Sequence, residues 1–402
     1  MWFLLLAFLA QSADFDAQGL KALDARKYDD AVALFSKAIA EDPKDYGAHF
    51  NLGLAYSLLS RDADAIQEYK KVLDLRPGLY EADLNLGLSL VRNKQASEAI
   101  PFLKSAVEQR PKEFRPRLYL GDALIATQQF ADSEAAYRAA LEIDANSAPA
   151  ELGLGRSLAR ENRRAEAEPH YRKATAVDGS YKEALLELAA LYEDNKQAPE
   201  AIAIYREFPG NAGAQERLGA LLLQSGKASD AIPALEASVA ASPSSANRLA
   251  LAQAYVREKQ LAKAEPLAAQ AVAGAPDDID LRLFYGRLLR DERKFPQAAA
   301  QFIAVGKDKP DSVEAWTELS GVYMAAEQYL EALAALDRIR ALGAESNALV
   351  FIRAVAYDHL QQRKEALENY NKFLAASHGE HPDQEFQARQ RTRMLERDLG
   401  KR

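Results

Sequence analysis

The 402-residue chain contains no cysteine. Disulfides, a thiol nucleophile and a lipid held through cysteine are therefore excluded, while either redox compartment stays open. Histidine is scarce, with five residues, and no His-Glu-x-x-His helix, phosphate-binding loop or Gly-x-Ser-x-Gly elbow occurs. Aromatic residues make up only 8%, which suits an all-α chain built on Ala and aliphatic side chains. A strong charge of one sign is missing as well. The net charge of −8 is modest for this length and its two signs are interspersed, which argues against nucleic acid as a main partner. Long apolar runs are absent too. In "MWFLLLAFLAQSA" the run from Trp2 to Ala10 is shorter than the roughly 20 residues that a membrane-spanning helix needs. It ends in the small-x-small sequence Ala10-Gln11-Ser12, so residues 1–12 read as a signal peptide cleaved before Ala13. The expected location is then periplasmic or secreted. The lack of Lys or Arg beside Met1 supports the alternative, a cytoplasmic chain with an apolar first helix or a misplaced start.

What is present is repetition. "NLGLAY" at 51–56 returns as "NLGLSL" at 85–90, and the residues that follow keep step. Tyr56, Ala65, Tyr69 and Pro77 after Gly53 match Leu90, Ala99, Leu103 and Pro111 after Gly87, an offset of 34 residues. The register continues through Gly121, Gly155, Gly219 and Gly286 to Tyr357 and Tyr370, giving about eleven units. A fixed period in this range marks a stacked repeat. Apolar residues such as Leu52, Tyr56 and Leu59, then Ile66, Tyr69 and Val72, recur at helical spacing, which predicts two amphipathic helices per unit. Gly53 and Ala65 are small where those helices must approach. Pro43, Pro77, Pro111, Pro243, Pro276 and Pro310 close the second helices, and Pro101, Pro169, Pro233 and Pro266 are expected at second-helix starts.

These residues resemble the tetratricopeptide repeat (TPR) family, whose unit carries Trp, Leu-Gly, Tyr, Ala, Phe, Ala and Pro across a helix-turn-helix. Only Trp316 supplies the Trp, and Ala189, Ala252, Ser320 and Ala354 replace Gly. The expected fold is an all-α, right-handed α-solenoid of about eleven TPR helix-turn-helix units with a C-terminal capping helix. Residues 13–208 form an N-terminal array, 212–382 a C-terminal array and 383–402 the cap, with Phe386, Met394, Leu395 and Leu399 on the cap's apolar side. Pro209-Gly210 marks either a hinge or a deletion tolerated in a loop.

The resemblance implies a concave groove lined by first helices that binds a peptide or partner helix. Its positions here are Phe50, Asn51, Leu54, Leu84, Asn85, Leu88, Leu118, Tyr119 and Asp122. A side-chain amide both donates and accepts, so Asn51 and Asn85 suit a partner's backbone. Leu54 and Leu88 form an apolar strip or pack between adjacent first helices. The carboxylate clamp of some family members also needs Lys and Asn one unit earlier, where Asp16 and Leu20 stand. In "RPKEFRPRLY", from Arg110 to Tyr119, Arg115 belongs either to an acidic partner's site or to a solvated corner. "GLGRSL" from Gly153 lacks the third glycine of a dinucleotide fingerprint and lies inside a repeat helix. The expected function is a noncatalytic, exported scaffold for a protein or peptide partner, with no cofactor and no metal. The alternatives are a cytoplasmic scaffold or co-chaperone-like adaptor and, in another class, a metal-dependent enzyme at His378 and His381 in "SHGEHPD".

Overall fold

Local chemistry punctuates the hairpins. Six first helices start on capping side chains: Asp45 accepts from the amides of Gly47 and Ala48, and Ser147, Asn211, Ser244, Asp278 and Ser312 cap in the same way. First helices end in Schellman turns, where a left-handed residue is followed by an amide that reaches back to a first-helix carbonyl. Lys94 (φ 60°) followed by the Gln95 amide on the Leu90 carbonyl, 2.8 Å, is one example. The left-handed place recurs at Arg26, Ser60, Lys94, Gln128, Asn162, Lys196, Lys259, Arg293, Glu327 and Gln361, and glycine fills it only at Gly226.

The computed structural model describes residues 14–400, so the expected signal segment lies outside the described residues. Among these, every regular element is helical. In the N-terminal body, which runs to Ile204, α1 (14–24) pairs with α2 (Tyr28–Glu41), α3 (Tyr46–Leu58) with α4 (Asp62–Leu75), and α5 (Tyr80–Arg92) with α6 (Ala96–Gln109). Next come α7 (Phe114–Ala126) with α8 (Phe130–Leu141), α9 (Ala148–Arg160) with α10 (Arg164–Val177), and α11 (Ala184–Asp194) with α12 (Ala198–Tyr205). The last of these helices has only 8 residues and is followed by Pro209-Gly210.

The C-terminal body, from Tyr205, holds α13 (Ala212–Gln224) with α14 (Ala228–Ala241), α15 (Ser245–Arg257) with α16 (Leu261–Gly274), and α17 (Ile279–Asp291) with α18 (Phe295–Asp308). Then come α19 (Val313–Ala325) with α20 (Tyr329–Ala341), α21 (Asn347–His359) with α22 (Arg363–Ala376), and finally the single helix α23 (Pro382–Gly400). The chain is thus an α-solenoid of helical hairpins.

The core of each body lies between its hairpins. In the first, Ile66, Tyr69, Leu86, Leu90, Leu103 and Leu124 form one cluster; in the second, Leu289, Phe302, Val305 and Leu319 form another. Glycine makes the closest contacts possible: a Cβ on Gly53 would meet the Tyr69 ring at 2.9 Å. A shared hydrogen bond joins successive hairpins. His49, Arg117, Arg282 and Trp316 occupy the same first-helix place, and each donates to a proline carbonyl six residues earlier, at 3.2, 2.7, 2.5 and 3.0 Å. The Trp of the repeat pattern is therefore replaced by other N–H donors that reach the same acceptor.

Two expectations are corrected. Pro101, Pro169, Pro233 and Pro266 lie six residues into α6, α10, α14 and α16 rather than at their starts. All four are exposed, as are Ser97, Ala165, Ser229 and Ala262 four residues earlier, so water can reach the carbonyls that the prolines leave unbonded. On α23, Phe386 and Met394 are exposed at 65% and 48%, whereas Glu385, Ala388, Thr392 and Leu395 are buried. Arg391, held on both Asp358 oxygens at 2.7 Å, and Glu385, accepting from the Gly379 amide, fix the rotation of that helix.

Candidate functional site

Within the N-terminal body the first helices of neighbouring hairpins, α3–α5–α7–α9–α11, touch one another more closely than the second helices do. This arrangement brings residues 34 apart into rows. Phe50, Leu84 and Tyr119 are half-buried and pack on the core, with the Phe50 and Tyr69 ring centroids 5.7 Å apart. Leu54 and Leu88 are half-buried but stand outside that cluster. Asn51 makes no side-chain hydrogen bond among the described residues, and Asn85 donates from Nδ2 to the Glu81 carbonyl at 2.7 Å, which leaves its Oδ1 open. Leu118 is buried at 9% exposure, so its rung presents Tyr119 instead.

Asp122 is committed within the protein. It accepts from the Tyr137 hydroxyl at 2.7 Å; burial pushes its carboxyl up, and that hydrogen bond partly offsets the shift. The Tyr137 ring reaches this wall because Gly153 leaves room: a Cβ there would meet Tyr137 Cζ at 2.2 Å. In the basic corner, Arg110 pairs with Glu81 at 2.5 Å and lies over the Tyr80 ring, and Arg117 serves the Pro111 carbonyl. Arg115 remains exposed.

An opening lies one rung beyond the expected residues. It is a cleft of about 820 Å³ across α7, α9 and α11, lined by Ile125, Phe130, Arg156, Arg160, Glu187 and Leu191, with Tyr171 and Asp194 among its other walls. Arg156 grips Glu187 with two hydrogen bonds, at 2.9 and 2.6 Å, which hold its guanidinium above the usual range. Burial pushes the Tyr171 hydroxyl up to about 12. The sequence carried a signal for this site, since Leu54, Leu88, Asp122, Arg156 and Ala190 form one row at intervals of 34 residues. In the C-terminal body Arg287 bonds Glu318 at 2.6 Å across the same 31-residue separation as Arg156 and Glu187. Among the described residues no group of three or more His, Asp or Glu side chains converges as a metal site, and no helix is long and apolar enough to cross a membrane.

Two family models described as tetratricopeptide repeat match the chain, one over residues 17–80 and 152–216, the other over 90–154, 222–288 and 255–319. No curated protein matches it. Among solved structures it is similar to MamA MSR-1 (23% identity, 42% of this chain and 98% of that one, TM-score 0.40). It is also similar to MamA from Desulfovibrio magneticus RS-1 (22%, 42% and 96%, TM-score 0.40). A third is YrrB, described as a TPR protein with an unusual peptide-binding site (22%, 42% and 88%, TM-score 0.40). At that likeness none of the three bears on what this chain binds.

Proposed function

Because this chain belongs to the tetratricopeptide repeat family, whose stacked units present extended binding surfaces, we propose that it is a noncatalytic scaffold holding a partner protein's segment along its first helices. The observation that carries this reading is the row of Leu54 and Leu88. These apolar side chains are half-buried yet left out of the core, with the uncommitted Asn51 and the half-committed Asn85 beside them. Apolar area held at a surface in register with polar groups that can bond a backbone is what a peptide groove requires.

The test is the double variant Asn51→Ala with Asn85→Ala, titrated against a partner identified by crosslinking. One hydrogen bond lost at each site, about 0.5–1.5 kcal/mol apiece, weakens binding roughly 5- to 150-fold while circular dichroism stays unchanged. Full affinity in a folded double variant defeats the groove. The second part of the proposal is export to the cell envelope, which rests on the apolar run from Trp2 to Ala10 and the Ala10-Gln11-Ser12 site. N-terminal sequencing of protein from its native cell is expected to begin at Ala13; an intact Met1 in the cytoplasmic fraction ends that part.

A further inference from the structure

The cleft across α7, α9 and α11 has a charge order that the rows at Leu54 and Leu88 lack. Its α7 side is neutral, with Ile125, Ala126 and Gln128, joined by Phe130. The α9 rung carries Arg156 and Arg160, and the α11 rung carries Glu187 and Asp194. Arg156 and Glu187 neutralise each other. Arg160 and Asp194 are both exposed, and among the described residues neither has an ion pair.

The rung spacing sets a register. Packed helices lie about 8–10 Å apart. Polyproline-type backbone repeats its facing side chain every three residues, about 9.3 Å, close to the rung spacing.

On the reading that this groove binds a partner segment, we propose that the α7–α9–α11 cleft takes an extended segment of a partner protein bearing an apolar, an acidic and a basic residue three apart. These residues sit over Ile125, at Arg160 and at Asp194 respectively. Because the two unpaired charges stand on neighbouring rungs, a segment with its charges exchanged meets like charge at both.

The experiment uses the full chain and two fluorescein-labelled peptides on an Ala/Pro background. One has Leu, Glu and Lys at its first, fourth and seventh positions, and the other has Leu, Lys and Glu. Fluorescence anisotropy is expected to show the first binding at least roughly tenfold more tightly, about the effect of one charge-assisted hydrogen bond. In the folded double variant Arg160→Glu with Asp194→Lys the preference inverts. Equal binding of the two peptides, binding of neither, or a preference that survives the charge exchange overturns the proposal. If that happens while Asn51→Ala with Asn85→Ala still weakens the partner, the groove stands and only this assignment falls.

Discussion

Arg353 stands where the repeat calls for leucine. Leu52, Leu86, Leu120, Leu154, Leu188, Leu218, Leu251 and Leu319 hold the equivalent places, yet this guanidinium is fully buried, at 2.7 Å from Glu345 and 2.5 Å from Asp337. Arg353→Ala leaves a cavity and strips Glu345 of one partner, and is expected to cost about 3 kcal/mol in urea unfolding. Arg353→Leu restores the apolar row, and because Glu345 keeps Arg340 at 2.8 Å and Asp337 is largely exposed, it is expected to cost far less. Similar losses for the two variants would contradict this account. Gly53→Leu drives a side chain into Tyr69, with an expected loss of about 1–3 kcal/mol; an unchanged melting temperature would refute the register. Asp16 is pushed up to about 6, first by burial and then by the hydrogen bond and charge of Asp45. The folded chain therefore holds that proton more tightly than the unfolded chain, and the associated stability is complete below about pH 4 and lost as pH rises through about 6. Asp16→Asn should raise the melting temperature at pH 7.5 and leave it unchanged at pH 4. Solvent screening keeps the gain at about 1 kcal/mol or less, and equal effects at both pH values would rule this out.

Among elements, the hairpin turn makes the sharpest demand on sequence. A side chain in the left-handed region costs about 1–2 kcal/mol, and a glycine returns part of that by its greater freedom when unfolded. Lys94→Gly is therefore expected to stabilise by about 0.5–1 kcal/mol, and Asn162→Gly by less because Asn tolerates this conformation; chemical denaturation of both variants checks the order. The paired helices were legible because their apolar spacing and closing prolines are local signals. The turns carried no such signal, since ten of these places hold a residue other than glycine. The cleft was legible in part: the 34-residue row leads to Arg156, but the pairing of Arg156 with Glu187 depends on which helices become neighbours. The face of α23 was misread because Asp358, 33 residues before Arg391, sets its rotation. Apolar content alone would have turned Phe386 and Met394 inward.

At the scale of the molecule, hairpins that touch mainly their neighbours make stability a sum of local terms. Hydrogen exchange of the Gly53→Leu variant should accelerate in α1 to α6 and leave α17 to α22 at their original protection; uniform acceleration would mean that the two bodies unfold as one. The exposed left-handed places, Arg26 through Gln361, recur once per hairpin along a chain that has no thiol of its own. A single cysteine introduced at any of them becomes a unique attachment point for a dye, and pairs of such positions turn the array into a spectroscopic ruler. With one probe at Gln128, on the cleft wall, and another at Lys196, just beyond α11, energy transfer would report directly on whether a segment has entered between them.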